Sequence, residues 1–213
     1  MEHHFKVEKT ARYFTIGNPE KAKVILIALH GYGQLAQFFI RKFDSLNYDY
    51  FIVAPEGLHR FYLNGSSGRV GASWMTKEDR LSDIHDNTLL LDQVLNHLKD
   101  KFYFEKTIVL GFSQGGATAA RWINESKHRI DHFISWASVY PPDLLIEENS
   151  KLKENYFVLG NQDEYFDETS SSETIYFYKS IGFKTITFDG NHSIDKDVLN
   201  QILNQLYINK SIE

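Results

Sequence analysis

The chain has 213 residues, enough for one domain, spanning 1–213, around a single large core. Hydrophobic residues make up 42% and charged ones 24%, so disorder is not the default reading, and a net charge of −5 argues against a nucleic-acid binder. The absence of cysteine excludes disulfides, thiolate metal sites and cysteine nucleophiles together.

Met1 to Thr10 is polar and rich in His, Lys and Glu, with no apolar stretch of the kind a signal peptide needs. The longest strongly apolar run, Val24–Leu29, is far short of the ~20 residues that cross a membrane. The expectation is a cytoplasmic protein without membrane insertion. Phe5–Thr10 and Tyr13–Gly17 read as two leading edge strands in a hairpin. Val24–Leu29 (VILIAL) has the β-branched, uniformly apolar character of a strand covered on both faces. Phe51–Ala54 repeats that character.

From Leu58 to Arg80 no clear periodicity is visible, and Asn64-Gly65-Ser66-Ser67-Gly68 lies inside it. Such a segment reads either as a lid or wall of a site or as a mobile surface insertion. Leu81, Ile84, Thr88, Leu91, Leu95, Leu98 and Phe102 then step by three and four, marking one face of a long helix. Strands follow at Thr107–Leu110, His132–Ala137, Tyr156–Leu159 and Lys184–Phe188. Ser170 with Glu173 forms a capping box that opens a helix through about Ile181. Val198, Leu199, Ile202, Leu203 and Leu206 give the closing helix its buried stripe. This alternation predicts an α/β fold, a mostly parallel twisted sheet with helices on both faces.

The sharpest motif is Gly111-Phe112-Ser113-Gln114-Gly115, placed between a strand and the small-residue helix Ala117–Trp122. In that context G-x-S-x-G is a nucleophile elbow, a strained turn that projects the Ser113 hydroxyl into a cleft. A serine needs a base to take its proton. Of nine histidines, only His192, in Asp189-Gly190-Asn191-His192-Ser193, stands on a loop after the last strand. There it satisfies the chain order Ser, acid, His. The acid should follow a strand between the two. Asp163 in Gly160-Asn161-Gln162-Asp163 meets that condition, with Asp167 and Asp189 as competitors. Oxyanion donors are expected from the backbone N–H of Gln114 and of Tyr32, in His30-Gly31-Tyr32-Gly33-Gln34. His30 reads as a neutral side chain pinning its own loop. No His/Asp/Glu cluster has metal-ligand spacing and no G-x-G-x-x-G is present, so neither metal nor cofactor is expected.

The succession HGYG, GFSQGG, GNQD, GNHS resembles the phospholipase/carboxylesterase family of small α/β-hydrolases, which includes acyl-protein thioesterases. The resemblance runs from about Val24 to the closing helix. It implies Ser113 as nucleophile, Asp163 as acid and His192 as base, with Tyr32 and Gln114 as oxyanion donors. It also implies that Trp74, in Ala72-Ser73-Trp74-Met75, lies near an acyl pocket, and a narrowed pocket favours short and medium acyl esters. Two departures are Leu159-Gly160 where the family usually has His-Gly, and the single Asn191 between Gly190 and His192. The implied activity is hydrolysis of a small-molecule carboxylic ester or thioester. A peptidase on the same triad and a non-catalytic binding protein are the alternatives, and a homodimer is left open.

Overall fold

The computed structural model describes residues 1–46, 49–144 and 154–208. Its centre is a seven-stranded sheet, made of β1 (Tyr13–Ile16), β2 (Val24–Leu29), β3 (Tyr50–Pro55), β6 (Lys106–Phe112), β7 (His132–Trp136), β8 (Glu154–Gly160) and β9 (Lys184–Phe188). The spatial order is β1-β3-β2-β6-β7-β8-β9, and every pairing is parallel except β1 with β3. Every residue of β2 and β3 is buried, as strands packed on both faces must be. The expected α/β sheet is therefore present.

The helices are α1 (Ala36–Phe39), α2 (Arg80–Lys99), α3 (Gln114–Glu125), α4 (Glu168–Ser180) and α5 (Lys196–Ile208). In α2 the apolar stripe packs from Thr88 through Leu91, Leu95 and Leu98, while Leu81 at its start is exposed. In α5, Leu199, Ile202, Leu203 and Leu206 are all buried. Beyond packing, Tyr50 Oη donates to the Leu203 carbonyl at 2.7 Å, tying α5 to β3.

Three expectations are corrected. Phe5–Thr10 forms no strand: its side chains are exposed, and β1 alone takes the free edge of β3. Two apolar residues among charged neighbours bury too little to hold a further strand there. The 58–80 segment is not irregular, because β4 (His59–Asn64) and β5 (Ser67–Ser73) pair as an antiparallel hairpin. Finally, α4 is capped by Asp167, whose Oδ1 accepts the Ser170 N–H at 2.7 Å, and not by a Ser170 capping box.

From β2 the chain turns to β3 on one side and later returns to β6 on the other. The order of strands reverses between β2 and β6, which makes their C-terminal ends a topological switch point, the crevice where such sheets bind ligands. Ser113 and the His30–Gln34 loop stand there.

Candidate active site

β6 delivers the chain to Ser113 at φ 53° and ψ −121°, a backbone conformation that costs a non-glycine residue of order 1–3 kcal/mol. The surroundings hold it there. Ser113 N–H donates to Trp136 O at 2.8 Å, and Gly116 N–H donates back to Ser113 O at 2.9 Å. Glycine at 115 has a geometric reason: a Cβ would stand 2.3 Å from the Leu29 carbonyl oxygen and 2.6 Å from that of His30. The start of α3 thus lies directly against the end of β2. Gln114 opens that helix, so its N–H is one of the donors a helix leaves unpaired at its start.

The facing loop is braced from several sides. Gly31 N–H donates to Gln34 Oε1 at 2.9 Å, Gly33 N–H to Ala72 O at 2.9 Å, and Gln34 N–H to Gly31 O at 3.2 Å. Tyr32 is the remaining residue of the loop, with its side chain 59% exposed. Gly31 lies so near the elbow that a Cβ there would be 3.3 Å from Ser113 Cβ. His30 is wholly buried: its Nδ1 donates to Gly31 O at 2.8 Å and its Nε2 accepts the Gly57 N–H at 3.0 Å. Burial lowers its pKa to about 4, so the ring is neutral, as expected from the sequence, and its tautomer is set by its two partners. Glu56, buried beside it, accepts from Arg12 Nε at 2.7 Å and from Ala36 N–H at 3.2 Å, anchoring the start of α1.

Trp74 departs from expectation. It is completely buried, stacks on His30 with centroids 4.9 Å apart, and donates its Nε1–H to the His30 carbonyl at 2.8 Å. It supports the loop from beneath instead of presenting a wall to the cleft, so it gives no reason for a narrowed pocket. The side chain of Gln114 was not singled out from the sequence. Its Oε1 accepts the Trp74 N–H at 3.1 Å and its Nε2 donates to Met75 O at 2.7 Å, clamping the end of β5 to the elbow.

On the other side, Asp163 and His192 come together. After β8, Asn161 N–H donates to Phe188 O and Gln162 N–H to Gly190 O, both at 2.9 Å, so this loop is sewn to the one following β9. The Asp163 carboxylate is fully buried; its Oδ2 accepts from His192 Nδ1 at 2.7 Å and its Oδ1 from Tyr165 N–H at 3.0 Å. The His192 backbone N–H donates to Glu164 Oε2 at 3.2 Å. The imidazole packs against both Phe112 and Tyr165, with centroid distances of 4.9 and 4.5 Å. The two competing acids are engaged elsewhere. Asp167 caps α4, and its pKa is lowered by the Ser170 hydrogen bonds, while Asp189 Oδ1 accepts from Gln162 Nε2 at 2.7 Å. Among the other histidines, His59 pairs with Asp83 at 2.8 Å and His132 Nδ1 donates to Glu154 O at 3.0 Å. No group of three His, Asp or Glu placed to hold a metal occurs among the described residues, nor is any helix long and apolar enough to cross a membrane.

Comparison with solved structures yields the same fold. Esterase PE8 superposes with a TM-score of 0.72 at 21% identity, covering 92% of this chain and 99% of its own. The acyl-protein thioesterase 2 of Zea mays gives 0.70 at 17% identity, covering 94% and 99%. A carboxylesterase from Mesorhizobium loti gives 0.71 at 12% identity, covering 91% and 94%. At such identities the likeness shows fold alone. No curated protein matches the chain in sequence. The model of the phospholipase/carboxylesterase family does match, across residues 11–210. The chain belongs to the phospholipase/carboxylesterase family of α/β-hydrolases.

Proposed function

We propose that this chain is a single-domain serine hydrolase that cleaves carboxylic esters or thioesters through an acyl-enzyme on Ser113. The observation that carries the reading is the 2.7 Å hydrogen bond from His192 Nδ1 to a fully buried Asp163 carboxylate, on loops beside the strained Ser113. With Nδ1 occupied, Nε2 is the nitrogen left to act as base.

Ser113 Oγ attacks the acyl carbonyl while its proton passes to His192 Nε2. The resulting oxyanion is received by the N–H groups of Tyr32 and Gln114, where the start of α3 adds a positive field. The carbon–oxygen or carbon–sulfur bond then breaks, its electron pair leaves with the alcohol or thiol, and His192 returns the proton to that atom. Water, activated by the same imidazole, attacks the acyl-enzyme and releases the acid. Asp163 keeps the proton on Nδ1 and stabilises the transient imidazolium.

The test is covalent. A fluorophosphonate probe is expected to add once, at Ser113 by peptide mapping, and Ser113→Ala is expected to lose both the adduct and ester turnover. Labelling at a different serine, or none on folded protein, would sink the assignment.

A further inference from the structure

The His192 side of the site carries a ring that the triad chemistry leaves unused. Phe112 packs on the imidazole and is buried, whereas Tyr165 lies against it at 59° and is 73% exposed. An aromatic ring left so open forgoes the stabilisation that burial gives. Its placement is nonetheless fixed. Asp163 accepts the Tyr165 N–H on Oδ1 at 3.0 Å and the Phe166 N–H on its carbonyl at 3.1 Å. The turn that aims the carboxylate at His192 therefore also presents the tyrosine.

We infer that Tyr165 is the face of a leaving-group subsite, selecting esters and thioesters whose leaving group is flat and unsaturated next to the scissile bond. The inference rests on the roles proposed for Ser113 and His192. During acylation the leaving oxygen or sulfur takes its proton from Nε2, so it must come within about 3 Å of that nitrogen. The oxyanion points toward Tyr32 and Gln114, on the β2 and β6 side, and the leaving group accordingly stands on the His192 side. Of the two rings packed on the imidazole, Phe112 is buried and Tyr165 is exposed, so Tyr165 is the ring that a substituent on the leaving atom can reach. The acyl chain occupies the remaining direction of the tetrahedral carbon and does not share this contact. Ring-on-ring packing beyond simple burial amounts to about two- to tenfold in rate.

The experiment measures kcat/KM, which reports acylation, for butyrate esters of phenol and naphthol against those of ethanol and propanol. Wild type, Tyr165→Ala and Tyr165→Phe are compared. Tyr165→Ala is expected to lower the aryl-to-alkyl ratio by two- to tenfold, and Tyr165→Phe to keep it within twofold. A general disturbance of His192 slows alkyl esters more than aryl ones, because an alkoxide depends more on proton donation than a phenoxide, and so raises the ratio instead of lowering it. With phenol held constant, the dependence on acyl length from butyrate to octanoate keeps its shape. A fluorophosphonate expels only fluoride, so its labelling rate checks the site independently of the subsite. An unchanged ratio with labelling intact overturns the inference, as does an altered acyl-length profile, which would put Tyr165 on the acyl wall. Wild type that fails to label at Ser113 overturns instead the reading on which the inference rests.

Discussion

Acid is expected to destabilise this protein through His30, on the scale its burial sets. The unperturbed histidine titrates near 6.5, and in the fold His30 does so near 4, because desolvation penalises the imidazolium more than Gly31 and Glu56 favour it. Between those values the unfolded chain binds a proton that the folded chain refuses. Stability therefore falls as pH drops from about 6.5 to about 4, and below that both states are protonated and the contribution is constant. The shift corresponds to about 3 kcal/mol, a large part of the total for a marginally stable domain.

Urea unfolding followed by circular dichroism from pH 7 to pH 4 measures this, with His30→Leu as the comparison. The variant leaves the Gly57 N–H without its acceptor, so at pH 7 it should be less stable by about 1–3 kcal/mol. It has no imidazole to protonate, however, so the two stability curves should converge as pH falls. Contributions common to both proteins drop out of the difference. Parallel curves from pH 7 to pH 4 would refute the account of His30 as a buried neutral brace.

Asp163→Asn should lower kcat by at least ~10², since the same change in a chymotrypsin-type triad costs about 10⁴ by holding the wrong imidazole tautomer. Asp167→Asn should stay within about threefold, because asparagine caps a helix as well as aspartate does, whereas Asp167→Ala should cost about 1 kcal/mol in stability. Melting temperature and turnover of one ester, measured on all three, separate chemistry from folding, and the reverse ranking would move the acid to Asp167. Gly115→Ala drives a Cβ to 2.3 Å from Leu29 O, so it should cost at least 1–3 kcal/mol and more than tenfold in kcat/KM. A variant with wild-type melting and turnover would show that β2 and the elbow are not in tight contact.

The elbow was legible because its evidence is local: glycines, a strand before and a helix after lie within a dozen or so residues of Ser113. His192 and Asp163 were legible for a related reason, since parallel strands bring the loops after them to one edge. The hairpin of β4 and β5 is only half legible: Phe61 and Leu63 alternate with more exposed neighbours and Asn64-Gly65 marks a turn. The two glycines and one arginine of β5 break the alternation that would mark it as the partner strand. The burial of Trp74 and the side-chain clamp of Gln114 are not legible in the sequence. Whether a tryptophan faces a cleft or supports a loop depends on packing against His30, 44 positions away, and no local pattern encodes that. The Arg12–Glu56 pair is equally remote, and Tyr165 stands on a turn held by the Asp163 carboxylate.

The two halves of the site are held by different means. The Tyr32 side is braced by the end of β3 through Gly57, by the end of β5 through Ala72, by Trp74 beneath and by the Gln114 clamp, so the donors proposed there are held in place without a substrate. Such preorganisation is what an oxyanion site requires, because donors that must reorganise during the reaction stabilise its charge less. The His192 side instead hangs on the pairing of β8 with β9, the last strand of the sheet. There a Cβ on Gly160 would meet the Gly190 carbonyl at 2.3 Å, so the two loops can approach only as bare backbone. Trp136 Nε1 ties the same loop back to β7 by donating to Ser193 O at 2.9 Å. The position of the proposed base is thus relayed from the sheet interior through the β9 edge strand, the Trp136 indole and the loop after β8. The Asp163 hydrogen bond, with the packing of Phe112 and Tyr165, sets the orientation of the imidazole on this side.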